Sequence, residues 1–149
     1  MTYLINQANL KRYIEEVWNN GNLTLIDELV STTYVIHHDP GDPWEGQTLD
    51  HEELKKRVLY SRNAFPDLHF AINEFVPGEN KVAISWFLTG THKGDLARVP
   101  ASGQKIKISG MTIYYFDDDK ISGHWQVIDQ LAFLAQVGML GLTGENIEM

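Results

Sequence analysis

The sequence predicts one α+β domain, with helices first and then hairpin-connected strands that form a curved antiparallel sheet. Three observations carry this. Apolar residues recur at three-to-four spacing in the N-terminal part of the chain and alternate after Pro66. The connections between the alternating runs are rich in Pro, Gly, Asn and Asp. Gly90, Gly94, Gly110 and Gly123 sit in or beside those runs, where glycine marks bulges and bends. A sheet bent at such points, wrapped by the N-terminal helices, encloses a central pocket.

Leu4, Ala8, Tyr13, Ile14, Val17 and Trp18 form the apolar stripe of a first helix, which Asn20-Gly21-Asn22 ends. Leu25, Ile26, Leu29 and Val30 predict a short second helix. Thr33 to His38 is β-rich and reads as a first strand, broken by Asp39-Pro40-Gly41-Asp42-Pro43. Asp50 is placed to cap a third helix, with Glu53 completing a capping box. That helix runs to about Ala64, because Pro66 disfavours helical backbone at the residue before it. Strands then follow: one beginning near Leu68, then Lys81–Thr91, Lys105–Phe116 and Ile121–Ile128. A short apolar helix over Gln130–Val137 ends at Gly138. The whole span 1–149 reads as one domain, and the patternless tail 139–149 is expected to be mobile or to pack on a partner.

With 149 residues, 43% of them apolar, the chain is long enough for a core of its own. The formal charge of −8 repels phosphate backbones and argues against a nucleic-acid partner. The absence of cysteine removes disulfides, thiolate metal sites and thiol nucleophiles together. No window approaches the roughly eighteen unbroken apolar residues of a membrane span. Charged residues also interrupt the N-terminus where a signal peptide would need an apolar core. The expected location is cytoplasmic.

His37-His38-Asp39 suggests a metal, but adjacent strand residues point to opposite faces, so the two imidazoles do not share one ion. No metal site is expected. On the last strand, alternation groups Trp125, Val127 and Asp129. An acid behind Trp and Val sits in an apolar lining, where desolvation raises a carboxyl's pKa toward neutrality. Asp129 also precedes an apolar helix and suits its N-cap, and the two roles are compatible. Val82, Ile84, Trp86 and Leu88 share a face of Lys81–Thr91 that extends through Gly90 to His92. Tyr114 and Tyr115 point to opposite faces, so at most one reaches the pocket. Tyr115 is the candidate, beside Trp86, Leu88, Trp125 and Val127.

Several segments together resemble the SnoaL-like polyketide cyclases, also described as ester cyclases. Ala64-Phe65-Pro66-Asp67-Leu68 is similar to that family's AFPDL junction, and Thr89-Gly90-Thr91-His92-Lys93-Gly94 to its TGTHxG. His38-Asp39-Pro40 resembles its HDP. Gly110, Phe116, Asp119-Lys120-Ile121, His124-Trp125 and Asp129 follow its last two strands. The resemblance implies the nuclear transport factor 2-like fold, a cone of curved sheet and helices that is commonly dimeric. It also implies ring closure by intramolecular aldol condensation, with no metal or organic cofactor, on a polyketide-like or other small hydrophobic ligand. Asp129 would be the general acid/base, with His38 and His92 polarising carbonyl groups from the pocket rim.

Three functions compete. The first is a cofactor-free enzyme acting on a carbonyl compound through Asp129. The second is an accessory protein that binds a small molecule without reacting it. The third is a hydrolase resembling epoxide hydrolases, in which two aspartates bridged by an arginine position water. The strand carrying Asp129 has no arginine and Arg98 lies in a loop, which speaks against the third.

Overall fold

The computed structural model describes residues 2–140, so of the 139–149 tail the stretch 141–149 lies outside the described residues. Helix α1 (Thr2–Arg12) widens into π-helical turns over Tyr13–Asn19. Leu10, Tyr13, Ile14, Val17 and Trp18 are buried along it, and Gly21 stops it at φ 74°. That left-handed backbone is one most side chains resist. A 3₁₀ turn (Leu23–Leu25) leads into α2 (Ile26–Leu29), then strand β1 (Val30–His38) and the two-residue strand β2 (Thr48–Leu49). Helix α3 (His51–Ala64) has the capping box expected at its start. Asp50 accepts from the Glu53 N–H, and the Glu53 side chain accepts from the Asp50 N–H. Strands β3 (His69–Gly78), β4 (Lys81–Thr91), β5 (Lys105–Asp117) and β6 (Lys120–Ile128) follow, then α4 (Gln130–Gln136).

The class is α+β, as the element order predicts, but the sheet differs from a wholly antiparallel one. Its strands lie in the order β2-β1-β6-β5-β4-β3 and do not close into a barrel. Strand β1 runs parallel to β6, and every other neighbouring pair is antiparallel. The reason is connectivity. Strands β3 to β6 follow one another directly, whereas β1 reaches β6 only through α3 and four intervening strands, so no hairpin sets its direction. The core lies between α1, α3 and the inward face of the sheet. On that face Val82, Ile84, Trp86 and Leu88 of β4 align with Tyr114, Thr112, Gly110 and Ile108 of β5.

Gly110 shapes this face directly. A Cβ built there would come 2.2 Å from Cζ2 of Trp86, so the indole occupies the space a side chain would take. Gly110→Ala is therefore expected to displace Trp86 and to cost about 1–3 kcal/mol, as overpacked positions do. Thermal denaturation followed by tryptophan fluorescence measures both effects, and an unchanged melt and spectrum would contradict this packing.

Candidate active site

A cavity of about 610 Å³ lies between the inward face of the sheet, α3 and α4. Its volume is in the range of small-molecule sites. Trp18, Phe65, Phe70, Trp86, Leu88 and Phe133 supply much of the apolar wall. Gly41, Pro43, Ala97 and Arg98 are its exposed lining residues and mark the mouth. One region is polar, formed by Asp39, Asp42, Arg57, Tyr114, His124 and Gln126.

Two irregularities in the β1–β6 region aim these side chains. On β1, Ile36 pairs with His124 and His38 with Trp125, leaving His37 as an extra residue. Strict alternation from Tyr34 and Ile36 would turn His38 inward and Asp39 outward. The extra residue exchanges them, so Asp39 is buried at 4% exposure while His38 stacks on the outward Trp125 at 4.4 Å. On β6, Ile121 pairs with Phe116 and Gly123 with Tyr115, so Ser122 is extra. Ile121 points inward, and beyond the bulge His124, Gln126 and Ile128 take over that face. One added residue reverses every side chain after it.

Asp39 is the hub of the polar region. Its Oδ2 accepts from Nε2 of His124 at 2.7 Å, from Nη2 of Arg57 at 3.0 Å and from Nε2 of Gln126 at 3.2 Å. Its Oδ1 has a contact only at 3.3 Å, from the Gln126 amide, among the described residues. Arg57 also holds Asp42, through Nε at 3.0 Å and Nη2 at 2.9 Å, and lies 5.5 Å from the Trp18 ring. It sits on the buried stripe of α3 with Leu54 and Val58, so a helix face otherwise built for the core delivers a charge to the cavity.

The network has a direction. The indole N–H of Trp86 only donates, so Thr112 Oγ1 accepts it at 2.9 Å, and the Thr112 hydroxyl then donates to Gln126 Oε1 at 2.6 Å. That leaves the Gln126 amide N–H groups for Asp39. Burial lowers the His124 pKa and outweighs the hydrogen bond to Asp39, which raises it. The ring is therefore neutral near pH 7, with its proton on Nε2 facing Asp39. Its Nδ1 accepts from the Tyr34 hydroxyl at 2.5 Å. Burial raises the Tyr114 pKa, which keeps its hydroxyl a donor. Tyr114 makes no side-chain hydrogen bond with another described residue while lining the cavity.

The residues singled out from the sequence divide between two faces. Trp86 and Leu88 line the cavity. Trp125 and Val127 are each 40% exposed on the outer face, and Tyr115 lies there against His37. The bulge at Ser122 put them there. Asp129 is exposed and caps α4 by accepting from the Ala132 N–H at 3.0 Å, so the expectation of a carboxyl shielded in the cavity is corrected. His38 is outward, for the reason given above. His92 is fully buried behind the cavity wall, stacked on Phe65 and bonded through Nδ1 to Ser102 at 2.9 Å. Asp39, Arg57, His124 and Gln126 were not proposed as site residues from the sequence, although Asp39 and His124 lie in motifs quoted there. Their signal was the polar even-numbered face of β6 and one arginine on the apolar stripe of α3. The arginine bridge missing from the strand of Asp129 is supplied by α3, since Arg57 joins Asp39 and Asp42. No cluster of His, Asp and Glu suited to a metal occurs among the described residues, and none of their helices is long and apolar enough to cross a membrane.

A family model described as SnoaL-like polyketide cyclase matches residues 8–137, and the chain belongs to that family. A solved structure described as a "putative polyketide cyclase" from Acidithiobacillus ferrooxidans is 40% identical, with a TM-score of 0.83 over 91% of this chain and 95% of that one. Another, described in the same words, from Bacillus cereus is 25% identical over 89% of this chain and 80% of that one, with a TM-score of 0.69. AclR from Streptomyces galilaeus, described as a "putative hydroxylase", is 24% identical over 93% and 99% with a TM-score of 0.76, a likeness of fold alone. No curated protein sequence matches the chain.

Burial lowers the pKa of both His124 and His92. A histidine with a depressed folded pKa takes up its proton in the unfolded chain first, so stability falls as pH drops below about 6.5. The slope approaches about 1.4 kcal/mol per pH unit for each such histidine. Asp27 and Asp67, whose pKa values are lowered, add acid sensitivity only near and below 3.8. Urea denaturation between pH 7.5 and 5 should show this loss, and His92→Asn should reduce its slope. A flat profile across that window would contradict the neutral, buried rings.

Proposed function

We propose that the protein is a cofactor-independent acid–base catalyst that acts on an enolisable carbonyl group of a largely apolar molecule held in the cavity. The observation that carries this is the asymmetry of Asp39. One carboxylate oxygen is anchored by His124, Arg57 and Gln126, while the other has a single long contact. Asp39 Oδ1 takes the proton from the carbon beside the carbonyl, and the electron pair moves onto the carbonyl oxygen. The Tyr114 hydroxyl donates to that oxygen as its charge develops. The enolate carbon then attacks a second carbonyl of the same molecule, closing a ring, and the proton returns to the new alkoxide. This assigns to Asp39 the role the sequence suggested for Asp129. Both ring nitrogens of His124 are engaged, which makes it a positioning residue.

A second reading rests on one specific observation, the bridge from Arg57 to Asp39 and Asp42. In a hydrolase, Asp39 would take a proton from water while the water oxygen opens an epoxide, whose ring oxygen is protonated from Tyr114. Loss of α-protons from 2-tetralone in D₂O, followed by NMR, and diol formation from cyclohexene oxide separate the two. Wild type should accelerate the exchange, and Asp39→Asn should lose about 100-fold or more of that acceleration. Tyr114→Phe, which keeps the ion pair, should lose about tenfold or more. Equal exchange in wild type and Asp39→Asn would sink the catalytic assignment. Diol formation without exchange would select the hydrolase, and binding with neither reaction an accessory protein.

A homodimer belongs to the same proposal. Phe87, Met111, Trp125 and Val127 form an exposed apolar patch on the outer sheet face, beside a hollow over Gly110. A protrusion and a hollow on one patch suit a two-fold contact between copies. Sedimentation should give a dimer that Met111→Asp converts to monomer; a monomeric wild type would remove this part.

A further inference from the structure

Of the ionisable side chains lining the cavity, Asp39, Asp42 and Arg57 pair with one another within a closed cluster. Arg98 does not belong to it. It lines the mouth, is exposed, and has no carboxylate within 4.0 Å among the described residues. The segment presenting it is built. Leu96 and Val99 form a reciprocal backbone pair, N–H to carbonyl at 2.9 and 3.0 Å, that leaves Ala97-Arg98 at the tip of a tight turn. The Ala97 N–H donates to the Tyr60 hydroxyl at 2.5 Å, tying the tip to α3. Asp95, the acid closest to Arg98 in the sequence, accepts from the Ala101 N–H at 2.7 Å within its own loop. Leu96 and Val99 themselves form part of the cavity wall.

The cavity is therefore polarised. Its inner cluster holds two carboxylates against one guanidinium, which disfavours an anion there. The mouth holds an exposed guanidinium on a tied turn, with no hydrogen-bond partner among the described residues, in a chain whose formal charge is −8. Guanidinium matches the planar, bidentate geometry of a carboxylate better than an ammonium does. We propose that the natural ligand is an apolar, aromatic-sized acid that enters with its reactive carbonyl toward Asp39 and leaves its carboxylate on Arg98. This inference rests on the cavity being the ligand site, as proposed above. It adds that the ligand carries a negative charge and fixes which end goes in first.

Anthracene-9-carboxylate and its methyl ester differ in that charge, and fluorescence titration at low ionic strength compares their affinities. Wild type should prefer the acid by roughly three- to fivefold, the scale of a partly exposed ion pair. Salt should weaken the preference. Arg98→Gln should abolish it without weakening the ester, Arg98→Lys should keep part of it, and Lys93→Gln should leave it intact. Binding of the ester with no preference for the acid, or a preference that survives Arg98→Gln, overturns the role of Arg98 while leaving the cavity reading in place. Binding of neither probe overturns both.

Discussion

The ion pair between Asp39 and Arg57 is the constraint around which the site is built. Removing two charges from water costs several kcal/mol per ion, and only close geometry with further hydrogen bonds recovers it. Here the carboxylate ends a strand and the guanidinium lies on the core stripe of α3, so the pair ties the helix layer to the sheet. Losing Arg57 would leave the Asp39 carboxylate buried without its counter-ion, at about 3–5 kcal/mol, whereas Arg57 keeps Asp42 if Asp39 is lost. Neither residue can be exchanged for an apolar one without rebuilding the other side.

The surrounding polar groups follow from that pair. Trp86, Thr112 and Gln126 form a chain whose donor direction is set by the indole, and Tyr34 and His124 form another. Both chains end with an N–H aimed at Asp39. A buried network stabilises only when every member is satisfied, and each of these side chains has a partner. The remaining wall is apolar and largely aromatic, so a ligand meets polar atoms at few places and its orientation is restricted.

Much of the fold was legible locally. Asp50 and Glu53 mark the start of α3 because a capping box is a contact between residues three apart. The alternation of β4 was legible because nothing interrupts it between Val82 and Leu88. The two-residue β2 and the parallel pairing of β1 with β6 were not, since each depends on a partner remote in the chain. The apolar Trp125 and Val127 invited an inward reading that the bulge at Ser122 reverses, and the same reversal on β1 exchanged His38 for Asp39.

The amino-acid order by itself determined the fold class, the family, the span and cap of α3 and the inward face of β4, because these depend on spacing within a few residues. Which end of β1 and β6 carries the chemistry was decided only in three dimensions. An inserted residue leaves no mark in composition or hydropathy, since its effect is to change the direction of side chains whose identities stay the same. The meeting of an arginine from a helix with an aspartate from a strand likewise exists only once the two layers pack.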